Sequence, residues 1–348
     1  MTRRQGITRR KMLAGSAVTS GVMLAAPSIV KASTNELHIG GPGGQEAATR
    51  EFLIPLFEEK YNCRVFYDGS QSLPNLQKLR ANRENPVFDV VMMDDPILLI
   101  AEDEELIQRL DPAEIPHMSK LVPDAIIRDG NWVNYMWPAI AIAHYLPEVS
   151  DVESWEMLWE PGLDERVLIP HPTTTQAPVT MIMAAHFETG KPFREAQYDL
   201  DAAFRKLAEM RPNLLDVFTA SARAAPLLEQ GEAWLAAGFF TTYTLGRKAA
   251  GSPIDLSRPR EGSFAMPKGV AKVRNASNPE LANAWIDECL ALEFQKVWMD
   301  VFFGAPTNVE APVDPSLVPA SEMIPIDWGF FSERLNETID RFDREIVV

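Results

Sequence analysis

Alternation between apolar strand-like segments and amphipathic helix-like segments is the sequence feature that most restricts the fold. Residues 87–93, VFDVVMM, form an apolar run rich in β-branched residues, which is typical of a strand covered on both faces. The pattern predicts strands at residues 37–40, 64–67 and 87–93 and helices at residues 45–61 (with a break at Pro55), 73–82 and 96–110. Such a βαβαβα rhythm indicates a parallel sheet flanked by helices.

The pattern restarts in the middle of the chain, after an apolar segment in which Pro138 can end one element and begin the next. It predicts strands at residues 166–172 and 233–240, and helices at residues 154–162, 177–190, 199–213, 241–251, 279–303 and 331–344. The 348-residue length also fits about two domains. We therefore predict an α/β protein with two lobes, whose ligand lies between them beyond the carboxyl ends of the strands.

The first 32 residues have the organisation of an export signal. They carry six basic residues and no acidic one. An apolar stretch after Met12 ends near Ala32, where a small-residue cleavage site is expected. The segment TRRKML at residues 8–13 is similar to a twin-arginine signal, although an ordinary secretory signal with extra arginines is the alternative. We expect an exported, periplasmic protein.

Charge and motif spacing exclude several function classes. The formal net charge of −16 disfavours nucleic acid and anionic lipid as partners. The loop GGPGG at residues 40–44 lacks the spacing of a dinucleotide or P-loop motif, and neither HExxH nor GxSxG nor CxxC is present. The sequence therefore predicts no cofactor, no metal and no enzyme. Cys63 and Cys289 are expected as free thiols, with a disulfide as the alternative.

Five segments in order resemble the periplasmic solute-binding proteins of ABC importers, in particular the polyamine-binding and ferric-ion-binding branch. These segments are FLIPLFEEKYNCRVFYD, NPVFDVVMMDDPILLIAEDEELIQRLD, SWEMLWEPGLDERVLIPHP, the stretch from GEAWLAAGFF to AWIDECL, and FGAPTN. The resemblance implies a type II binding protein that closes on its ligand by hinge motion. It implies a first lobe at residues 33–137 plus 263–305, a second lobe at residues 138–262 and a C-terminal tail at residues 306–348.

The resemblance also places candidate ligand contacts on the first lobe. Polyamine binders carry aromatic and acidic side chains where this chain has Gly41, Gly43, Gly44 and Gln45. Bare backbone N–H groups at a helix start favour a carboxylate or phosphate, although a tight turn without ligand contact is the alternative. Asp94 and Asp95 match a ligand loop and could hold an amine, or could merely cap the next helix.

The remaining candidates lie on the second lobe and on the return crossover. They are Thr174, Thr175 and Gln176 at a helix start, Phe240, Thr241 and Tyr243 after a strand, and Lys268. Helix capping would explain one threonine, and core packing would explain the phenylalanine. Polyamine binders present Trp and Asp on the crossover, where this chain has Ala265 and Pro267 followed by Lys268, which could pair with an anion or be a surface lysine. A single Tyr243 disfavours iron.

These departures predict a small anionic or zwitterionic solute, which the binding protein would deliver to a membrane ABC permease. We expect the protein to be a monomer. One alternative is a polyamine binder with a rearranged site. Others are an exported transferase with a cysteine nucleophile and a binding protein that signals through a membrane receptor.

Overall fold

The computed structural model describes residues 35–347, so the predicted signal at residues 1–32 lies outside the described part. Fourteen strands are present in that part. They are β1 (Glu36–Pro42), β2 (Arg64–Ser70), β3 (Val90–Asp94), β4 (Ile107–Gln108), β5 (Ile126–Ile127), β6 (Trp132–Trp137), β7 (Ala139–Tyr145), β8 (Val167–Pro170), β9 (Leu214–Phe218), β10 (Leu235–Phe240), β11 (Ile254–Leu256), β12 (Phe264–Ala265), β13 (Lys268–Val273) and β14 (Ala305–Pro306).

Thirteen α-helical segments cover the strands in the same part of the chain. They are α1 (Glu46–Ala48), α2 (Ile54–Tyr61), α3 (Ser72–Ala81), α4 (Asp95–Asp103), α5 (Ala177–Thr189), α6 (Phe193–Ala196), α7 (Leu200–Glu209), α8 (Ser221–Glu229), α9 (Thr241–Ala249), α10 (Pro279–Leu290), α11 (Leu292–Phe302), α12 (Trp328–Glu333) and α13 (Leu335–Glu345). A π-helical turn at Thr49–Leu53 joins α1 to α2, just before Pro55. Proline cannot take part in regular i to i−4 pairing, and a wider turn accommodates it.

The strands form two sheets. The order of the first is β14-β6-β13-β3-β1-β2, with β4 beside β13 and β5 beside β6, and the order of the second is β11-β7-β10-β8-β9, with β12 beside β7. The predicted two-lobe α/β class is confirmed. Each sheet is mixed rather than mostly parallel, because strands β6 and β13 in the first sheet and β7 in the second run antiparallel to their neighbours.

Both faces of each sheet are covered. On the first sheet, one core contains Phe57, Trp285 and Trp298 and another contains Leu98 and Trp132. The first four residues of β3 are fully buried, as expected for a strand between two helical layers. The second sheet likewise lies between two separate clusters of buried side chains.

The chain passes between the sheets three times. It leaves the first sheet after β6 and enters the second at β7, with Pro138 between them. It returns between β12 and β13, through residues 266–267. After β14 it crosses again, since Ile324 bridges Phe264 and the apolar side chains of α12 and α13 join the core of the second sheet.

Several predicted elements are wrong in extent. The helix predicted at residues 96–110 ends at Asp103, since Glu105 adopts a positive φ of 55° and β4 then pairs with β13. The helix predicted at residues 279–303 is two helices, because Ala291 is extended (φ −71°, ψ 150°). The segment predicted as a helix at residues 154–162 is a 3₁₀ turn at Trp155–Trp159, and the acidic tail helix is the pair α12 and α13. Strands β4, β5, β9 and β11–β14 and helices α6 and α8 were not predicted, and β6 and β7 correspond to a segment predicted only as apolar and divided at Pro138.

Candidate functional site

The glycine loop lies where strand β1 ends at the edge of the first sheet. Gly41 has a packing reason, because a Cβ atom there would lie 2.2 Å from the hydroxyl oxygen of buried Tyr67. Gly43 and Gly44 are exposed, and a side chain at Gly44 would meet nothing within 4 Å. Gln45 is buried and accepts a hydrogen bond of 3.0 Å from the hydroxyl of Tyr135. Only the two exposed glycines therefore leave bare backbone accessible.

Asp94 ends strand β3 at the same edge and forms an ion pair with Lys268. The two residues are register partners across β3 and β13, and the lysine ammonium donates to Oδ1 of Asp94. Ser72 donates to Oδ2 of Asp94 over 3.3 Å. The side chains of the aspartate and the lysine are only 20% and 19% exposed. Asp94 is at the N-cap of α4, but its side chain makes no capping hydrogen bond, so capping does not explain it.

Lys268 also connects the first sheet to the second. Its ammonium lies 5.7 Å from the centroid of the Phe240 ring, a distance typical of a cation–π interaction. Phe240 is the last residue of β10 in the second sheet and is half-buried. Lys268 is thus not a solvated surface lysine, since it lies between a carboxylate of one sheet and an aromatic ring of the other.

Asp95 belongs to a different network from its neighbour. It is 4% exposed, and its Oδ1 accepts hydrogen bonds from Trp132 Nε1 at 2.8 Å and Asn134 Nδ2 at 2.7 Å. Burial raises the pKa of Asp95 to about 7, against the lowering effect of the two hydrogen bonds. Trp137 Nε1 in turn donates to Oδ1 of Asn134 over 3.2 Å.

The predicted contacts on the second sheet are only partly available to a ligand. Thr174 donates its hydroxyl to the carbonyl of His171 over 2.8 Å, and buried Gln176 donates to Ser221 Oγ over 3.2 Å. Thr175 is half-buried, and its hydroxyl has no hydrogen bond with the described residues. His171 lies 2.9 Å from an oxygen of Asp343 on helix α13. Thr175 is therefore the freest polar group of this loop.

Thr241 and Tyr243 have structural contacts. The backbone N–H of Ala139 donates to the Thr241 hydroxyl over 3.2 Å, which ties α9 to the first crossover. The Tyr243 ring packs against Phe239, and the Arg247 guanidinium lies over it at 5.1 Å. Desolvation by burial raises the pKa of Tyr243. These contacts favour core packing for the tyrosine and leave Phe240 as the aromatic residue beside Lys268.

Sequence reasoning missed Ser72 as a partner of Asp94. Ser72 begins α3, directly after β2, and the carboxyl ends of parallel strands β1, β2 and β3 lie at one edge. The rule that ligands bind beyond these ends was the signal that could have identified it.

Two observations on the described part of the chain concern metal ligands and thiols. Within residues 35–347, no three His, Cys, Asp or Glu side chains are grouped so that they could hold a metal ion. Cys63 and Cys289 are free, and burial raises the pKa of both thiols. No helix in this range has the length and apolar character required to cross a bilayer.

Comparison with known proteins identifies the family. The model for bacterial extracellular solute-binding proteins matches residues 85–334. The spermidine/putrescine-binding periplasmic protein of Escherichia coli K12 is 25% identical over 292 residues, which cover 78% of this chain and 80% of the relative. The putrescine/agmatine-binding protein of Pseudomonas aeruginosa is 24% identical over 268 residues, 70% of this chain and 72% of the relative.

A solved structure supports the same fold. The crystal structure of an ABC transporter protein from Clostridium perfringens superposes with a TM-score of 0.76 and 21% identity, covering 89% of this chain and 99% of that chain. The family model spans well over half of the sequence, so the chain belongs to the bacterial extracellular solute-binding protein family.

Proposed function

We propose that this protein is exported to the periplasm, captures a small anionic or zwitterionic organic solute between its two lobes and delivers it to an ABC permease. In this proposal the first lobe comprises residues 33–137 plus 263–305 and the second lobe residues 138–262, and closure between them would enclose the solute. The observation that carries the proposal is the Lys268–Asp94 ion pair facing Phe240. We further propose that the protein acts as a monomer and is exported by the twin-arginine route.

The ion pair argues against a ligand with only positive charges. The carboxylate of Asp94 could bind an ammonium group of a ligand only if no other cation were paired with it. The ammonium of Lys268 already forms that pair. A diamine would have to displace the lysine and would leave two positive charges close together. Within a few ångströms, such like-charge repulsion costs on the order of 1–4 kcal/mol at a partly buried site.

A zwitterion matches the same pair. Its carboxylate would bind the ammonium of Lys268, and its own ammonium would bind Asp94, so that one ion pair becomes two. The exposed backbone at Gly43 and Gly44 supports an acidic end as well, because backbone N–H groups at a helix start favour anions. The Phe240 ring and the Thr175 hydroxyl would contact the carbon chain and a ligand oxygen.

The names of the two relatives favour a polyamine as the second candidate ligand. Calorimetric titration with three four-carbon compounds separates the candidates: 1,4-diaminobutane, 4-aminobutyrate and succinate have the same length and differ in charge. The proposal predicts binding of the amino acid or the diacid. Tight binding of the diamine alone would favour the polyamine alternative.

A further inference from the structure

A cavity lies beside the segments that cross between the two sheets, and we name it the crossover cavity. Its volume is about 280 Å³. It is lined by Asp95 and Leu99 of α4, by Trp132 and Trp137 of β6, by Pro267, and by residues 325–329 of the C-terminal segment. Its walls therefore come from all three passages of the chain between the two sheets.

The crossover cavity is distinct from the proposed solute cleft. Pro267 lines the cavity, whereas Lys268, the next residue, pairs with Asp94. Adjacent side chains of an extended segment point to opposite faces. Asp94, Lys268 and Phe240 are absent from the cavity lining. The two sites thus lie on opposite faces of the return crossover.

Asp95 has an unused hydrogen-bonding position at this cavity. Both of its hydrogen bonds go to Oδ1, and Oδ2 has no hydrogen-bond partner in residues 35–347. The residue is only 4% exposed. A buried carboxylate whose second oxygen has no hydrogen-bond donor is incompletely compensated for the loss of water, and burial raises the pKa of Asp95. A cation in the cavity would remove this penalty.

The other walls suit an organic cation. Three tryptophans, Trp132, Trp137 and Trp328, line the cavity, and indole rings are the best aromatic partners for a cation. Asp124 and Asp327 add negative charge at the lining. Arg128 is the basic residue of the lining, and it already forms ion pairs with Glu102 at 2.8 Å and with Asp103.

We propose that the crossover cavity binds a small organic ammonium ion, with the ammonium at Oδ2 of Asp95 and the carbon atoms against the tryptophans. The volume exceeds that of several water molecules, each of which takes up roughly 30 Å³ of liquid, so a compound of a few carbon atoms fits. This site is independent of the solute cleft and does not rest on the function proposed for that cleft.

Titration of the full-length protein with propylammonium chloride tests the proposal, with 1-propanol as the uncharged control. We expect one propylammonium per chain and no propanol binding. Asp95→Asn keeps an oxygen that can accept from Trp132 and Asn134 but removes the charge, and it should weaken binding at least about tenfold. Asp94→Asn removes the cleft carboxylate and distinguishes the two sites.

A pH series and a variant of the opposite wall complete the test. Binding requires ionised Asp95, whose pKa is raised by burial to about 7, so affinity should fall about tenfold from pH 8 to pH 6. The other charged groups around Asp95 are Asp94 and Lys268 beside it, and Asp124, Asp327 and Arg128 at the cavity lining. Trp328→Leu retains an apolar wall and should also weaken binding. Absence of propylammonium binding, equal binding by Asp95→Asn, or loss only in Asp94→Asn would overturn the proposal.

Discussion

Replacement of Lys268 by methionine is the most informative perturbation of the proposed cleft. Methionine keeps much of the length and the apolar contact with Phe240 but removes the ammonium. The carboxylate of Asp94 would then keep only the 3.3 Å hydrogen bond from Ser72. The proposed cleft would change from a neutral ion pair to a single negative charge.

The expected magnitude follows from the contacts of the pair. A charge-assisted hydrogen bond contributes about 1.5–3 kcal/mol, so 4-aminobutyrate or succinate should bind roughly 10- to 150-fold more weakly to the variant. Binding of 1,4-diaminobutane should improve at least about tenfold, since Asp94 would no longer be paired. Each side chain of the pair is about one-fifth exposed, so the variant should also lose about 1–3 kcal/mol of folding stability.

Isothermal titration calorimetry with the three four-carbon compounds measures the change, and urea unfolding measures the stability. Lys272→Met is the matched control, because Lys272 lies on the same strand, is 5% exposed and donates to Asn283 over 2.7 Å, away from the cleft. It should lose stability without changing the order of ligand affinities. Unchanged affinities in Lys268→Met for both the acids and the diamine would refute the role assigned to this lysine.

Three further perturbations have defined outcomes. Burial raises the pKa of Asp95 from 3.8 to about 7 on folding, so the folding stability falls as pH rises through this interval. Asp95→Asn should remove this fall and be more stable than the wild type at pH 8 by up to about 4 kcal/mol. Equal urea midpoints of variant and wild type at pH 8 would contradict this. Gly41→Ala should lose about 1–3 kcal/mol through the clash with Tyr67, whereas Gly44→Ala should be neutral in thermal unfolding. Alkylation of Cys63, the partly exposed thiol, should leave ligand binding unchanged in calorimetry, and loss of binding would revive a role for cysteine.

The two-lobe α/β class and several of its elements were predictable where local pattern and packing agree, whereas the antiparallel pairing within each sheet was not. The buried run of β3, the strand–helix alternation and the break at Pro138 all follow from hydrophobic periodicity and proline chemistry. The split between α10 and α11 was not predictable from periodicity. There the side-chain amide of Gln295 donates to the carbonyls of Cys289 and Tyr135, at 2.8 and 2.7 Å, and the second of these contacts joins residues 160 positions apart.

The sequence proposed Asp94 and Lys268 as separate candidates, the first for an amine and the second for an anion, and it did not predict that they form an ion pair with each other. They are 174 residues apart in sequence, and only the register of β3 against β13 makes them partners. Asp95 was proposed together with Asp94 as a residue that could hold an amine of the ligand. Its side chain instead accepts hydrogen bonds from Trp132 and Asn134.

Calorimetric titration of the wild-type protein with 1,4-diaminobutane, 4-aminobutyrate and succinate tests the central claim most directly. The internal ion pair at the cleft predicts that a compound with a carboxylate binds and that the diamine binds far more weakly or not at all. Tight binding of 1,4-diaminobutane, with none of 4-aminobutyrate or succinate, would contradict the assignment of an anionic or zwitterionic solute.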